Sequence, residues 1–346
     1  MKTVYVGLSG GVDSSVSAAL LKQQGYHVVG VYMKNWTQDV AGVACPWKSD
    51  LADARAIAAR LDIPFKVFDF QTEYKQNVVD VMVAEYIAGR TPNPDVMCNQ
   101  EIKFDLFLKT ALADGADLIA TGHYARTKNG RLLASRYLAK DQSYFLYRVT
   151  SGALEKTIFP VGDLAKPEVR RLAAEAGLAT AKKPDSQGIC FVGEVGIREF
   201  LRQYVKSAPG PVLDHTTGRL LGEHQGAVFY TIGQRHGLGI GGGQAFYVVG
   251  KDVATNTVYV TSDPHDLVLE TDHFTIAQTH WINGAPEPGR VYQIRTRYRA
   301  DLIDGQLAAT TRRYNVQLVR PERAITTGQS AVVYDGEVVV GGGIIA

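Results

Sequence analysis

The stretch that most constrains this chain is Leu8-Ser9-Gly10-Gly11-Val12-Asp13-Ser14-Ser15, eight residues that begin at its eighth position. The apolar run Val4-Tyr5-Val6 leads into it, and Val16, Ala18, Ala19, Leu20 and Leu21 follow at helical spacing. The pattern predicts a strand, a tight glycine turn and a helix N-terminus. Such a turn presents backbone N–H groups and the positive end of a helix dipole to an anion. Gly10 and Gly11 let the backbone approach phosphate oxygens closely, Ser9, Ser14 and Ser15 add hydroxyls, and Asp13 is placed to hold a cation or a water. No Gly-Lys-Ser/Thr follows, so this is not a Walker A loop, and the dinucleotide pattern Gly-x-Gly-x-x-Gly is also absent.

The rest of the first half supplies the sheet that such a turn needs. Strands are expected at Thr3–Gly7, His27–Met33, Phe65–Phe70 and Asp117–Thr121, and helices at Asp13–Gln24, Leu51–Leu61, Glu73–Gly89, Glu101–Asp114 and Pro167–Ala176. Alternation of this kind means an α/β fold with a mostly parallel sheet, whose ligands sit beyond the carboxyl ends of the strands. The glycine turn, Met33 and Thr121-Gly122-His123-Tyr124 all fall at that edge. From Pro209 the pattern changes to short β-like runs punctuated by Gly218, Gly222 and Gly226, with a flexible loop at 237–243. From Val268 the chain is β-rich, with turns expected at Asn283-Gly284, Pro288-Gly289, Asp304-Gly305 and Asp335-Gly336, which suggests a small barrel of about six strands. The expected domains are residues 1–205, 206–267 and 268–346.

The chain has 346 residues, long enough for two or three cores. Its formal charge is only +2, so a nucleic-acid partner has to be held by a local basic surface. No apolar run has the length of a membrane span and no apolar signal region is expected at the N-terminus. The three cysteines, Cys45, Cys98 and Cys190, lack Cys-x-x-Cys spacing. That argues for a reducing compartment and against a disulfide scaffold or a structural zinc.

Two of those cysteines lie in loops worth weighing. In Gly89–Asn99, Pro92 and Pro94 are expected to hold an extended turn until about Glu101. Cys98 then lies just before a helix, where a thiol pKa falls, with Asp95 as a general acid/base three residues earlier. A Pro-rich surface loop with a buried cysteine is the competing interpretation. Cys190 follows Lys182 and Lys183, whose charge favours a thiolate, but Ile189, Phe191 and Val192 around it also suit a structural core cysteine. Cys45, before Pro46-Trp47-Lys48, reads as structural or incidental.

Ser9-Gly-Gly-Val-Asp-Ser resembles the PP-loop of the ATP pyrophosphatases, which cleave ATP between the α and β phosphates. With Thr91-Pro-Asn-Pro-Asp-Val-Met-Cys-Asn, Ala120-Thr-Gly-His-Tyr-Ala-Arg, Lys140-Asp-Gln-Ser-Tyr-Phe-Leu, Asp185-Ser-Gln-Gly-Ile-Cys-Phe and Gly341-Gly-Gly-Ile-Ile, the whole chain from residue 3 onward resembles the bacterial tRNA-specific 2-thiouridylases.

That resemblance implies ATP with Mg²⁺ on Gly7, Leu8, Ser9, Gly10, Gly11, Val12, Asp13 and Ser14, with Met33 and Gly122 lining the adenosine pocket. It implies that the C2 oxygen of the wobble uridine of tRNAs for lysine, glutamate and glutamine is adenylated. Cys190 receives sulfane sulfur from a cysteine desulfurase or a relay protein, and Cys98 releases it towards C2 as a Cys98–Cys190 disulfide forms. Asp95 is the acid/base, Asn93, Pro94 and Asp95 cradle the base, and His123, Lys140, Asp141, Gln142, Arg297, Tyr298 and Gln329 meet the tRNA. A PP-loop amide ligase is the alternative enzyme, though no ammonia source is visible; a tRNA- or nucleotide-binding module without turnover is the alternative from another class. Eight arginines against three acids between Arg290 and Arg323 suit a phosphate-binding face. Alternation along Val291–Ala300 places Arg295, Arg297 and Arg299 on one face, and a bulge or a strand end is needed for Arg297 and Tyr298 both to reach RNA. The expected location is the cytoplasm.

Overall fold

The structure, a computed structural model, describes residues 1–40, 42–184, 196–206, 208–241 and 243–346. Strands β1 (Thr3–Gly7), β2 (His27–Lys34), β3 (Phe65–Asp69), β4 (Leu118–Ala120) and β7 (Thr157–Ile158) form a parallel sheet in the order β3-β2-β1-β4-β7. Val4, Tyr5, Val6 and Gly7 on β1 are buried on both faces, as a central parallel strand requires. Helices α1 (Val12–Gln23) and α2 (Trp47–Arg60) connect these strands. Because β1 lies between β2 and β4, its carboxyl end opens the crevice where such sheets bind ligands.

Helix α3 covers residues 71–87 and α4 residues 94–113, each with wide π-type turns in its middle, at Lys75–Asp80 and Cys98–Leu106. The expected extended turn up to Glu101 is therefore corrected. Asn93 caps α4 by accepting from Val96 N at 3.4 Å, and Pro94 takes the first helical position, where its missing N–H costs nothing.

The hairpin β5 (Ala125–Lys128) and β6 (Arg131–Ala134) leaves the parallel sheet behind. Helices α5 (Ser151–Glu155), α6 (Lys166–Glu175) and α7 (Ile197–Leu201) follow along the chain. A four-stranded sheet then forms from β8 (Gly210–Asp214), β9 (Leu220–His224), β10 (Tyr247–Asp252) and β11 (Thr257–Thr261), in the order β10-β11-β8-β9.

The last six strands are β12 (Glu270–Trp281), β13 (Val291–Arg295), β14 (Ile303–Ala309), β15 (Tyr314–Arg323), β16 (Ser330–Asp335) and β17 (Val338–Ile345). They run β12-β15-β14-β13-β16-β17, and β12 pairs back onto β17 to close a barrel. Asp304-Gly305 is not a turn as expected but lies inside β14. A Cβ at Gly305 would sit 2.8 Å from the Gln317 carbonyl oxygen, so glycine here permits close approach of two strands.

The barrel does not stand apart. Val338 and Val339 of β17 pair with Leu133 and Leu132 of β6, so the hairpin extends the barrel sheet. Tyr144, Tyr147 and Leu132 share one buried cluster with Val332, Tyr334 and Val339 of the barrel and Val248 and Val260 of the middle sheet.

Candidate active site

The glycine turn has the expected course. Gly10 has φ +75°, and a Cβ there would lie 2.7 Å from the Asp50 carbonyl oxygen, so both conformation and space demand glycine. Gly11 caps α1 in an extended conformation, leaving the first-turn amides of α1 facing the crevice. Ser14 and Ser15 hydroxyls both donate to the Gly11 carbonyl, at 3.1 and 2.6 Å, and Ser9 N donates to Ser14 Oγ at 3.3 Å. These hydroxyls brace the turn; Ser15, fully buried against Thr180, is no ligand donor. Leu8 and Val12 put their side chains in the core, so only their backbone faces the crevice. Met33 closes over Gly7, whose ideal Cβ would be 2.9 Å from its methyl group.

Gly122 follows β4 and presses directly on the turn. A Cβ there would sit 2.6 Å from Ser14 N and 2.8 Å from the Asp13 carbonyl carbon. The next residues extend the contact in two directions. Tyr124 donates its hydroxyl to Asp13 Oδ1 at 2.8 Å. His123 lies between Phe104 of α4 and Phe159, with ring centroids 5.7 and 6.1 Å away, and its Nδ1 meets Thr121 Oγ1 at 2.8 Å. Burial, aided by the Lys103 charge, holds its pKa well below the ordinary histidine value, so the ring is neutral.

Helix α4 carries Asp95 and Cys98 one turn apart. Cys98 is buried, 3% exposed, and lies beyond the first helical turn, so the helix-terminus effect expected for it is small. Burial raises the Asp95 pKa, against the pull of Lys103. A raised pKa keeps the carboxyl able to give up a proton. Burial penalises the charged form, so ionised Asp95 costs the fold stability above the ordinary carboxylate range, and protonation on acidification removes that cost. Asp95→Asn is therefore expected to melt higher than the wild type at pH 7. Melting curves at several pH values should show the gap closing as pH falls into the ordinary carboxylate range; a gap that widens contradicts this.

The barrel grips the loop before α4. Gln329 Nε2 donates to the carbonyls of Thr91 at 2.8 Å and Pro92 at 3.4 Å, and Thr91 N donates to the Thr327 carbonyl at 2.9 Å. Tyr298 packs on Phe145 with centroids 4.3 Å apart, and Phe145 O accepts from Asn99 Nδ2, beside Cys98. Strand β13 ends at Arg295, so Arg297 and Tyr298 lie in the turn beyond it and strand parity does not separate them. Arg297 is exposed and has no side-chain partner among the described residues. Arg295 departs from the expected outward face: it reaches Asp141 at 3.4 Å and lies over the Tyr334 ring. Asp141 is buried and accepts from Ser135 N and from Ser143 N and Oγ, while Gln142 Oε1 accepts from Tyr124 N. Both side chains thus bind protein; Lys140, like Gln142, is half-buried.

Cys190 lies outside the described residues, with 185–195. The chain approaching it is pinned beside the glycine turn. Lys183 bonds Asp50 at 3.0 Å and Asp53 at 2.6 Å, and Arg170 holds the carbonyls of Ala181 and Lys183. The Lys183 charge is thus already spent on two carboxylates. Cys45 is half-buried, with Sγ 3.7 Å from the Trp36 carbonyl and a pKa raised by burial.

Sequence reasoning missed Lys166, whose ammonium bonds both Asp13 oxygens, at 2.7 and 2.8 Å. It also missed Lys103, whose charge acts on both Asp95 and His123. Lys103 was legible as a residue two helical turns after Asp95 once the helix start is placed at Pro94; Lys166 had no signal in the sequence beyond preceding Pro167 at a helix start.

Comparison with known proteins covers all three parts of the chain. Residues 2–194 match the family described as tRNA methyl transferase HUP domain, 198–262 the tRNA methyl transferase PRC-barrel domain and 271–345 the aminomethyltransferase beta-barrel domain. The tRNA-specific 2-thiouridylase MnmA of Bordetella avium (strain 197N) is 47% identical over 99% of this chain and 97% of its own. Those of Pseudomonas paraeruginosa (strain DSM 24068 / PA7) and Nitrosomonas eutropha (strain DSM 101675 / C91 / Nm57) are each 48% identical over 99% of this chain, covering 94% and 98% of their own. A solved 4-thiouridine synthetase–RNA complex with bound ATP is 16% identical, with TM-score 0.39, over 58% of this chain and 50% of its own, too distant to argue from. Identity near one half along the whole length, with matching models over all three sheets, means that this chain belongs to the family of the tRNA-specific 2-thiouridylases.

Proposed function

We propose that the chain converts a tRNA uridine to 2-thiouridine in two stages, ATP-dependent activation of C2 followed by sulfur transfer. One observation supports this most: the turn Gly122–Tyr124 joins the two halves of the site. Gly122 presses on the amide of Ser14, Tyr124 holds Asp13, and His123 packs on Phe104 of the helix that carries Asp95 and Cys98. A phosphate cradle and a thiol-bearing helix thus share one strand edge.

ATP is bound by Gly7, Leu8, Ser9, Gly10, Gly11, Val12, Asp13 and Ser14, with Met33 and Gly122 at the adenosine. Nucleotide-borne Mg²⁺ is held mainly by phosphate oxygens with one or two carboxylates. Asp13 is the carboxylate at the turn, but Lys166 and Tyr124 already bond it, so phosphate oxygens would hold most of the ion; among the described residues no group of three or more His, Cys, Asp or Glu builds a separate metal site. When bound, Mg²⁺ neutralises phosphate charge.

The uridine O2 forms a bond to the α-phosphorus while the bond to the bridging oxygen breaks and its electron pair leaves with pyrophosphate; the N3 proton leaves to solvent. A carbonyl oxygen is a poor leaving group, and AMP makes it a good one. The persulfide of Cys190 then attacks C2. Cys98 thiolate attacks Cys190 Sγ, breaking the S–S bond, and the electron pair stays on the sulfur held by C2. C2=S forms as AMP leaves, and Asp95 returns a proton to the base. The sulfane sulfur is reduced and the two thiols end as a disulfide, which a cellular dithiol must reduce before the next cycle. Sulfane sulfur comes from a cysteine desulfurase or a sulfur-relay protein.

The substrate is the wobble uridine of tRNAs for lysine, glutamate and glutamine, taken out of its stack. Asn93 and Pro94 shape its place, with His123, Lys140, Asp141, Gln142, Arg297, Tyr298 and Gln329 around the RNA; Asp141, Gln142 and Gln329 act by holding backbone. A cytoplasmic location accompanies a tRNA substrate, and among the described residues no helix is long and apolar enough to cross a membrane.

The test is the nucleotide product. With tRNA present, AMP and pyrophosphate should appear in equal amounts; ADP and phosphate would overturn activation at the α-phosphate. Arg297→Ala should weaken tRNA binding and lower the slope of log affinity against log salt by about one, and an unchanged slope removes Arg297 from the phosphate contacts.

A further inference from the structure

The glycine turn lacks a basic residue. Gly7 to Ser15 contains no lysine or arginine, yet a triphosphate must settle on it and its α-phosphorus must accept an oxygen nucleophile. Walker loops carry their own lysine to the phosphates. Here the ammonium comes from elsewhere in the chain. Lys166, in the first turn of α6 and more than 150 residues from the turn in sequence, is 7% exposed. Its Nζ bonds Asp13 Oδ1 at 2.7 Å and Oδ2 at 2.8 Å, and lies 5.7 Å from the centre of the Tyr124 ring, whose hydroxyl meets the same carboxylate. Asp13 is itself a first-turn residue of α1, so this cation stands beside the amides that face the anion.

Stability alone is a weak reason for such a pair. Desolvating two charges costs about what their attraction returns, and apolar replacements of buried pairs are often neutral. Lys183, the other lysine near the turn, bonds Asp50 and Asp53 of α2, whereas Lys166 bonds Asp13 of the turn itself. Of the two, Lys166 is therefore the one held on the residue beside which a phosphate arrives.

We propose that Lys166 is a catalytic cation of the activation step, held ready by Asp13 and Tyr124 and shared with the α-phosphate as charge builds on it. The inference rests on the adenylation proposed above. As the uridine O2–phosphorus bond forms and the bond to the bridging oxygen breaks, the non-bridging oxygens gain charge, which a pre-placed ammonium in a water-poor site stabilises more than it stabilises bound ATP. Lys166 keeps its proton throughout, and the leaving electron pair goes to pyrophosphate.

The experiment measures tRNA-dependent pyrophosphate release at varied ATP for the wild type, Lys166→Met, Lys166→Gln and Lys166→Arg. Lys166→Met should lower kcat by about 100-fold or more, in line with removal of one pre-organised electrostatic group, with KM for ATP changed far less. Lys166→Arg, which keeps the charge but not the shape, should recover at least about tenfold of that loss. If Lys166→Met does not fold, Lys166→Gln reads the same split, since its amide still donates to Asp13 without charge. A kcat within about threefold of wild type, or a rise in KM that accounts for the whole loss, overturns the role of Lys166. A wild type that releases no pyrophosphate with tRNA overturns the adenylation reading instead, so the two failures are distinct.

Discussion

Replacing Cys98 or Cys190 by alanine is expected to suppress 2-thiouridine formation by on the order of a thousandfold or more, while a single burst of pyrophosphate persists in each variant. The reason is the division of the site. Activation needs the glycine turn, Gly122 and the groups around Asp13, whereas Cys98 is carried on α4. Sulfur transfer needs one thiol to carry the persulfide and another to release it. Cys190→Ala has nothing to load, and Cys98→Ala, loaded, has nothing to break the S–S bond. Quenched-flow pyrophosphate measurement with nucleoside analysis of the same samples checks both halves. Full thiolation by both variants contradicts the two-thiol scheme. Loss of the burst in both places the cysteines in activation.

The second large effect is expected from one methyl group. Gly122→Ala puts a Cβ 2.6 Å from Ser14 N and 2.8 Å from the Asp13 carbonyl carbon. Both are backbone atoms at a helix N-terminus, so no rotamer change relieves the overlap and the turn itself must shift. Overpacking of this kind costs about 1–3 kcal/mol, which a chain of this size survives. The phosphate cradle does not survive it: a displacement near 1 Å of positioning groups costs about 100-fold in rate. Gly122→Ala should therefore fold, bind ATP weakly by calorimetry and lose about 100-fold or more in kcat/KM for ATP. Gly152→Ala is the control, since its Cβ meets nothing within 4 Å and it lies in the short helix α5. Equal behaviour of the two variants contradicts the close fit of Gly122 to the turn.

Local chemistry decided what was legible in the sequence. The strand, turn and helix from Thr3 to Gln23 follow from a buried apolar run, two glycines and a helical repeat, and each agrees with the structure to within a residue. The six barrel strands were countable because glycines with positive φ at Gly284, Gly289 and Gly336 mark turns between them, while Asp304-Gly305 misled because glycine also serves close strand packing. The start of α4 was written in the sequence and misread: Asn93-Pro94 has the form of a cap and a first-turn proline, yet two prolines close together suggested extended chain. Arg295 misled by alternation, since a strand's outward face can be covered, here by Asp141 and Tyr334. Lys166 on Asp13, Gln329 on Thr91 and the pairing of β6 with β17 join residues more than 150 positions apart, and no local pattern encodes such contacts.

The account stands on the claim that the glycine turn makes oxygen leave and the thiols supply the sulfur that replaces it. Mass analysis of nucleosides from tRNA incubated with the chain, Mg²⁺ and a persulfide donor, with and without ATP, tests it most directly. The account predicts one uridine oxygen replaced by sulfur at the wobble position, only when ATP is present, with one AMP formed for each sulfur gained. Thiolation without ATP, or AMP formation with the tRNA unchanged by the wild type, would contradict it.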